Sequence, residues 1–238
     1  MNSNKGKLYL IPNVIADTDP LLVIPAHVLS ALPHISHFLA ENVRTTRRFL
    51  SSLKIFPSIE ALSFTVLDKN TIENDIASLL TPLMNGHDMG VISESGCPGI
   101  ADPGAAAVKY CHQQGITVVP LVGPSSILMA LIASGLDGQR FAFNGYLPID
   151  KKELRDAIHS YEGDSKRKSQ TQIFIETPFR NNHILDALVK NLAPATHLTI
   201  ALDITGKDEY IQTQTVADWQ KHKPTLAKLP AVYLFLAR

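Results

Sequence analysis

The sequence predicts an α/β protein of two domains: an N-terminal one built on a mostly parallel sheet covered on both faces, and a C-terminal α+β one with antiparallel pairing. Three observations carry this. Through residues 7–121 short apolar runs alternate with helical stretches, the pattern of βαβ units. Two of those runs, residues 89–92 (MGVI) and 116–121 (ITVVPL), each empty into a loop of small and turn-forming residues that feeds a helix. In open α/β sheets that is where ligands sit, outside the carboxyl ends of parallel strands. After Val122-Gly123-Pro124 the pattern changes, so the boundary is set there, giving domains 1–122 and 123–238.

Composition narrows the classes. A chain of 238 residues with 45% hydrophobic and 18% charged residues buries a core or two and is not disordered. Lys+Arg and Asp+Glu both total 22, so there is no global basic excess of the kind that grips bare nucleic acid. The N-terminal residues lack the apolar core of a signal peptide, and no run approaches a membrane span. Two cysteines, Cys97 and Cys111, fit a reducing cytoplasm and form no metal-ligand pattern. No metal site is expected; His34 with His37 at i, i+3 is too little to make one.

Taken in order, residues 7–11 (KLYLI) read as a buried strand that stops at Pro12. Residues 13–22 read as a turn-rich loop, and Pro25 opens a helix, AHVLSAL. Residues 35–39 form a strand and lead through Glu41-Asn42-Val43-Arg44 into a basic helix. Asn70 is placed to cap a helix over 71–85, with Glu73 returning the bond and Gly86 ending it. The central strand 89–92 follows, then a helix ending at Gly115 and the strand 116–121. In the second half come an apolar helix closed by Gly135, a strand (FAFNGY), a polar helix (KKELRDAIHSYE) and a hydrophilic loop, GDSKRKSQ. Strand TQIFIE breaks at Pro178, and Asn181 or Asn182 caps the next helix. Strands HLTIALDI and EYIQTQTV form a hairpin across residues 205–208, and AVYLFLA is the last strand.

Chemistry concentrates in a few loci. In residues 93–104 (SESGCPGIADPG) three glycines and two prolines fix a bent path that brings backbone N–H groups and the carboxylates of Glu94 and Asp102 toward a ligand. The bland alternative makes Asp102 the cap of the following helix, with Pro103 at its first position. Ser125 and Ser126 either cap the next helix or hold a ligand carboxylate with the helix dipole behind them. Neither loop has the glycine order of a P-loop or a dinucleotide fold, which argues against ATP and NAD. Cys97 reads as a small half-buried residue, not a nucleophile. Glu176 and Arg180, after the strand TQIFIE, point polar groups to a crevice edge unless they form a surface salt bridge of little worth. Arg44, Arg47 and Arg48 are by default a solvated helix face.

The order SESGCPGIADPG, VVPLVGPSSILMALIASGL, RFAFNGYLP, FIETPFR resembles the tetrapyrrole-methylase superfamily, and within it the branch that methylates a ribose 2′-oxygen of small-subunit ribosomal RNA. That branch reads S-D-A-G-T-P-x-I-S-D-P-G, P-G-P-S-A, S-G-L, R-F-x-F-x-G-F-L-P and Y-E-[SA]-P-H-R in the same order. The resemblance implies a two-domain methyltransferase dependent on S-adenosylmethionine, homodimeric, with the cofactor in a cleft between domains. By position the cofactor residues would be Pro12, Ser95, Gly96, Cys97, Ile100, Ser125, Ser126, Ile127, Thr177, Ala201, Leu202 and Ala231. Glu41, Glu94, Asp102 and Glu176 are the candidate bases. Arg44 and Arg180 would orient an acceptor phosphate or carboxylate. For an RNA acceptor, residues 166–168 (KRK) should lie with the arginine face on the cleft side.

This chain departs from the branch at Glu41-Asn42-Val43-Arg44 for E-D-T-R, Glu94 for the aspartate of S-D-A-G, and Ile149-Asp150 for a basic R-K pair. A small-molecule methylase, or a cofactor-binding module acting through protein or ribosome contacts, therefore stays open beside the RNA methylase.

Overall fold

The computed structural model describes residues 5–238, which fall into two compact units divided after Ser125. In the first unit β1 is Leu8–Ile11, α1 Pro20–Val23, α2 Ala26–Ala31, β2 His37–Ala40, α3 Val43–Ser52 and β3 Ser63–Val66. Then come α4 Ile76–Leu79, α5 Thr81–Met84, β4 Met89–Ile92, α6 Ala105–Gln113 and β5 Val118–Pro120. All five strands run parallel in the order β3-β2-β4-β1-β5. The link after β1 leads toward β2 and the link after β4 toward β5, so they leave in opposite directions. Right-handed crossovers then put the helices on opposite faces.

Period-2 alternation sorts the core accordingly. Ile11, Phe38 and Ile92 pack with Val28, Leu32, Phe49 and Leu50 on one face. Leu8, Leu39, Met89 and Val91 pack with Ile76, Leu80, Ala107 and Cys111 on the other. Gly90, in the middle of β4, lets Ile11 and Phe38 approach, since a Cβ there would lie 2.3 Å from Ile11 Cδ1. Pro25 stands at the N-cap position of α2, one residue ahead of the expected first helical position and without a side-chain bond, whereas Asn42 Oδ1 caps α3 by accepting from the N–H groups of Arg44 and Thr45.

The expected helix over 71–85 is broken. A 3-10 turn (Glu73–Asp75), α4 and α5 replace it, because Pro82 supplies no N–H and its ring crowds the carbonyl four residues back. Asn70 caps nothing: its N–H donates to Asp68, whose carboxylate also holds Thr71 Oγ1. Glu73 pairs with Lys109 instead of closing a capping box. Asp19 caps a short helical turn, α1, inside the expected loop.

In the second unit α7 is Ser126–Ser134, β6 Phe141–Phe143, α8 Lys151–Lys168, β7 Thr171–Glu176 and α9 Asn181–Asn191. After these come β8 His197–Leu202, β9 Tyr210–Thr215, α10 Val216–Lys221 and β10 Ala231–Leu236. The sheet order is β6-β7-β10-β8-β9, with only β6·β7 parallel. The β8–β9 hairpin and the mixed sheet match the expected α+β half. Trp219 and Tyr233 are buried, and each keeps a hydrogen bond to a carbonyl, Leu198 O and Asn181 O.

The segment GDSKRKSQ is not a loop. Helix α8 runs through it to Lys168, with Leu154, Ile158 and Ser165 buried along one stripe. Asp164 pairs with Arg167 and Lys168, the basic last turn suits the helix dipole, and Ser165 Oγ accepts from Ala237 N. Nor do Asn181 and Asn182 cap α9, whose N-cap position is Arg180. Their side-chain amides donate instead to Leu229 O and Leu226 O, fastening the 226–229 segment.

Candidate active site

Strands β2 and β4 are neighbours in register, Ala40 opposite Ile92, so the residues after them emerge side by side at the carboxyl edge. Glu41 N–H donates to Ile92 O, and Glu94 N–H donates to Glu41 Oε2 at 3.2 Å. Thr45 Oγ1, in the first turn of α3, donates to Glu94 Oε1 at 3.4 Å. Asp102 completes a group of three carboxyls drawn from positions far apart in sequence. Burial, then the charges of Glu41 and Glu94, push its carboxyl up to about 6, while a hydrogen bond with Ser93 opposes the rise. Ser93 Oγ also donates to Ser95 O at 3.1 Å, and its single proton serves one acceptor at a time.

Asp102 does not cap α6. The N-cap is Gly104 at φ 139°, without a side-chain cap bond, and Ala101 is held at φ 63°. A non-glycine residue in the left-handed region costs on the order of 1–2 kcal/mol, strain that holds the loop in this path. Beside Asp102 lies an open cavity of about 420 Å³, walled by Leu67, Ile76, Pro103 and Ala105, with Glu41 and Asp68 on its polar side. Arg44 is exposed on the first turn of α3.

A second convergence occupies the ends of β1, β4 and β5. Asn13 N–H donates to Gly96 O at 2.8 Å, and Asn13 Nδ2 donates to Ser93 O and Glu94 O. Buried Asn13 thus stitches the loop after β1 to the loop after β4, a role the sequence reading missed. Gly123 meets the same point from β5: a Cβ on it would lie 2.0 Å from Pro12 Cβ. Cys97 Sγ points at Pro124 O, 3.5 Å away, and burial raises its thiol, so it stays a protonated donor. Pro12, Ser95, Gly96, Cys97 and the 123–125 segment therefore gather in one place. Ile100 and Val122, near these segments in sequence, have 46% and 68% of their surface open.

In the second unit Glu176, Ala231 and Leu202 lie in one register row across β7, β10 and β8. Thr177 follows at the same sheet end, and Ala201 is one row in. Ser126 and Ile127 open α7, which packs over β9 and β10; Thr213 Oγ1 donates to Ser134 O at its far end. Glu176 and Arg180 are not a surface pair. Glu176 is 4% exposed, lies 3.3 Å from Arg180, and accepts from Thr177 N–H and Oγ1, while Arg180 also donates to Leu147 O and Pro148 O. Thr177 thus holds Glu176 Oε1, while Glu176 Oε2 is buried without a hydrogen bond among the described residues and faces Arg180. Lys166, Arg167 and Lys168 end α8 just before β7 begins, at the opposite end of β7 from Thr177.

Solved structures with this architecture include uroporphyrin-III-C-methyltransferase from Thermus thermophilus. That likeness has a TM-score of 0.55 and 16% identity, covering 97% of this chain and 92% of that one. The methyltransferase CobJ gives a TM-score of 0.62 and 18% identity, covering 98% and 94%. These likenesses show the tetrapyrrole-methylase fold. No family model matches the chain. It is 31% identical over 217 residues to ribosomal RNA small subunit methyltransferase I of Escherichia coli O157:H7, covering 91% of this chain and 72% of that one. Against the same enzyme of Vibrio cholerae serotype O1 the identity is 30% over 211 residues, 89% of this chain and 69% of the relative. The chain belongs to the family of ribosomal RNA small subunit methyltransferase I.

Proposed function

We propose that the protein transfers the methyl group of S-adenosylmethionine to a ribose 2′-oxygen of small-subunit ribosomal RNA, with Asp102 as the base. The observation that carries this is the half-buried Asp102, raised to about 6 by its surroundings and open to a cavity of about 420 Å³. A base poised just below neutral pH is ionised in use and still a competent proton acceptor.

The cofactor seat is the meeting of the loops after β1, β4 and β5. Gly96, at φ 66°, turns backbone there, and the exposed side chains of Ile100 and Val122 offer apolar surface to an adenosyl group. Charged donors for a phosphate are missing from the Pro12, 95–97 and 123–125 segments, as suits a ligand without one. S-adenosylmethionine supplies a sulfonium methyl, already electrophilic. The protein's part is alignment and removal of one proton. The acceptor hydroxyl would give its proton to the Asp102 carboxylate as its oxygen took the methyl group that a bound donor would release. Glu41 and Glu94 keep Asp102 basic, and Arg44 at the same edge meets an acceptor phosphate. The same reading makes the protein a cytoplasmic homodimer.

Calorimetric titration with S-adenosylmethionine and with its demethylated product tests the donor. Transfer of labelled methyl to 30S subunits from a strain lacking the protein, with the product nucleoside identified, tests acceptor and atom. Saturable micromolar binding and one 2′-O-methylated site are expected. A folded protein that binds neither compound overturns the reading.

A further inference from the structure

Beyond the catalytic edge, α3 carries a feature that the methyl-transfer chemistry does not use. Its outer face and the segment after it enclose an open groove of about 430 Å³, lined by Arg47, Arg48, Ser51, Phe56, Ser58 and Glu60. Arg48 and Ser51 are exposed and make no side-chain hydrogen bond or ion pair among the described residues. Arg47 is held in place: its guanidinium lies 5.5 Å from the centroid of the Phe64 ring on β3. Its ion-pair partner, Glu60, is 3.7 Å away with an 80% exposed side chain, and Ser58 Oγ donates to that same carboxylate at 2.7 Å. A long, solvated pair of this kind is readily exchanged for another anion.

Arg44, Arg48 and Ser51 fall at i, i+4 and i+7, so they form one ridge about 10 Å long on α3. The ridge starts at the catalytic edge, because Thr45 in the same first turn bonds Glu94. We propose that this ridge and groove hold the phosphodiester backbone of single-stranded acceptor RNA as it leaves the catalytic edge, with Arg47 and Arg48 on phosphates and Phe56 beside a base. The inference rests on the RNA-methylating reading and gives it an acceptor track. A local positive strip explains how a chain with zero formal net charge engages RNA. Guanidinium forks, a free serine hydroxyl and an aromatic ring together suit a nucleotide chain better than an acidic peptide, which has no base to stack.

The test uses the full chain, a mixed-sequence 12-nucleotide single-stranded RNA and 30S subunits lacking the methyl group. Fluorescence anisotropy is followed across a salt series for wild type, Arg48→Ala, Arg48→Glu, Arg48→Lys and Ser51→Asp. Affinity for both RNAs falls about fivefold in Arg48→Ala and about thirtyfold in Arg48→Glu. The slope of log K against log salt drops by about 0.7 in Arg48→Ala and returns in Arg48→Lys. The KM for 30S subunits rises in parallel, while kcat at saturating subunit, cofactor affinity and melting temperature stay at wild-type values. Ser51→Asp, which adds a negative charge without removing a cation, also weakens binding. Wild-type affinity and salt slope in both Arg48→Glu and Ser51→Asp overturn the groove while leaving the methyltransferase reading intact. A wild-type chain that binds cofactor and transfers methyl only to a small molecule overturns the RNA reading itself.

Discussion

Asp102→Asn should separate activity from stability, and the two effects have opposite signs. The isosteric amide cannot take a proton, so transfer falls by about 10²-fold or more, the usual worth of a positioned base. In the folded chain the Asp102 carboxyl is raised from 3.8 to about 6, so between those values the folded state binds more protons than the unfolded one. Stability therefore falls as pH rises through that window, by roughly 3 kcal/mol at about 1.4 kcal/mol per tenfold. Partial exposure and solvent screening bring this to about 1–2 kcal/mol. The asparagine variant escapes that cost. Its melting temperature should match wild type near pH 4 and exceed it by about 3–8 °C at pH 8, by scanning calorimetry. In wild type, transfer should drop about tenfold from pH 7.5 to pH 5 as Asp102 protonates; the variant's residual rate should be flat there. Wild-type turnover in the variant, or a melting gain as large at pH 4 as at pH 8, would falsify the assignment.

Gly123→Ala drives a methyl into Pro12 and should weaken S-adenosylmethionine binding at least tenfold by calorimetry, with the far-UV spectrum unchanged. Arg180→Ala strands a buried Glu176 carboxylate and should cost about 3–5 kcal/mol in urea unfolding, much of it recovered when Glu176→Gln is added. Trp219→Phe removes the bond to Leu198 O and leaves a small void, so a loss of about 1.5–3 kcal/mol is expected by the same measurement.

The central strands were readable because β1, β4 and β5 are apolar runs punctuated by Pro and Gly. Strand β3 was not: SFTV lies at the sheet edge, mostly exposed, and carries no continuous apolar signal. Composition misled at α8, where Gly163 and a run of charges look like a loop. What holds the helix there is the buried side of Ser165 and pairs closing at i, i+3 and i+4, and neither is visible in composition. At residues 71–85 the capping pattern was sound locally, and a single internal proline outweighed it. The site was legible in its parts only. Loop 93–104 announced itself by glycine and proline, yet Glu41 and Glu94 are 53 positions apart, and no spacing rule says that adjacent strands place them together. That Asp102 is not the cap of α6 turned on Gly104 taking the cap position, which spacing alone does not reveal.

The insertion of β4 between β1 and β2 governs the order in which the first unit can be built. Leu8 pairs with Met89 and with Val118, so β1 has no strand partner until most of that unit has left the ribosome. At about 5–20 residues per second, the wait for β4 lasts roughly 4–16 s. During synthesis β2 and β3 can pair early, but they lack the strand that joins them to β1. For those seconds Leu8, Ile11 and Phe38 are uncovered apolar side chains on a nascent chain, a ready target for holding chaperones and the point where aggregation competes with folding.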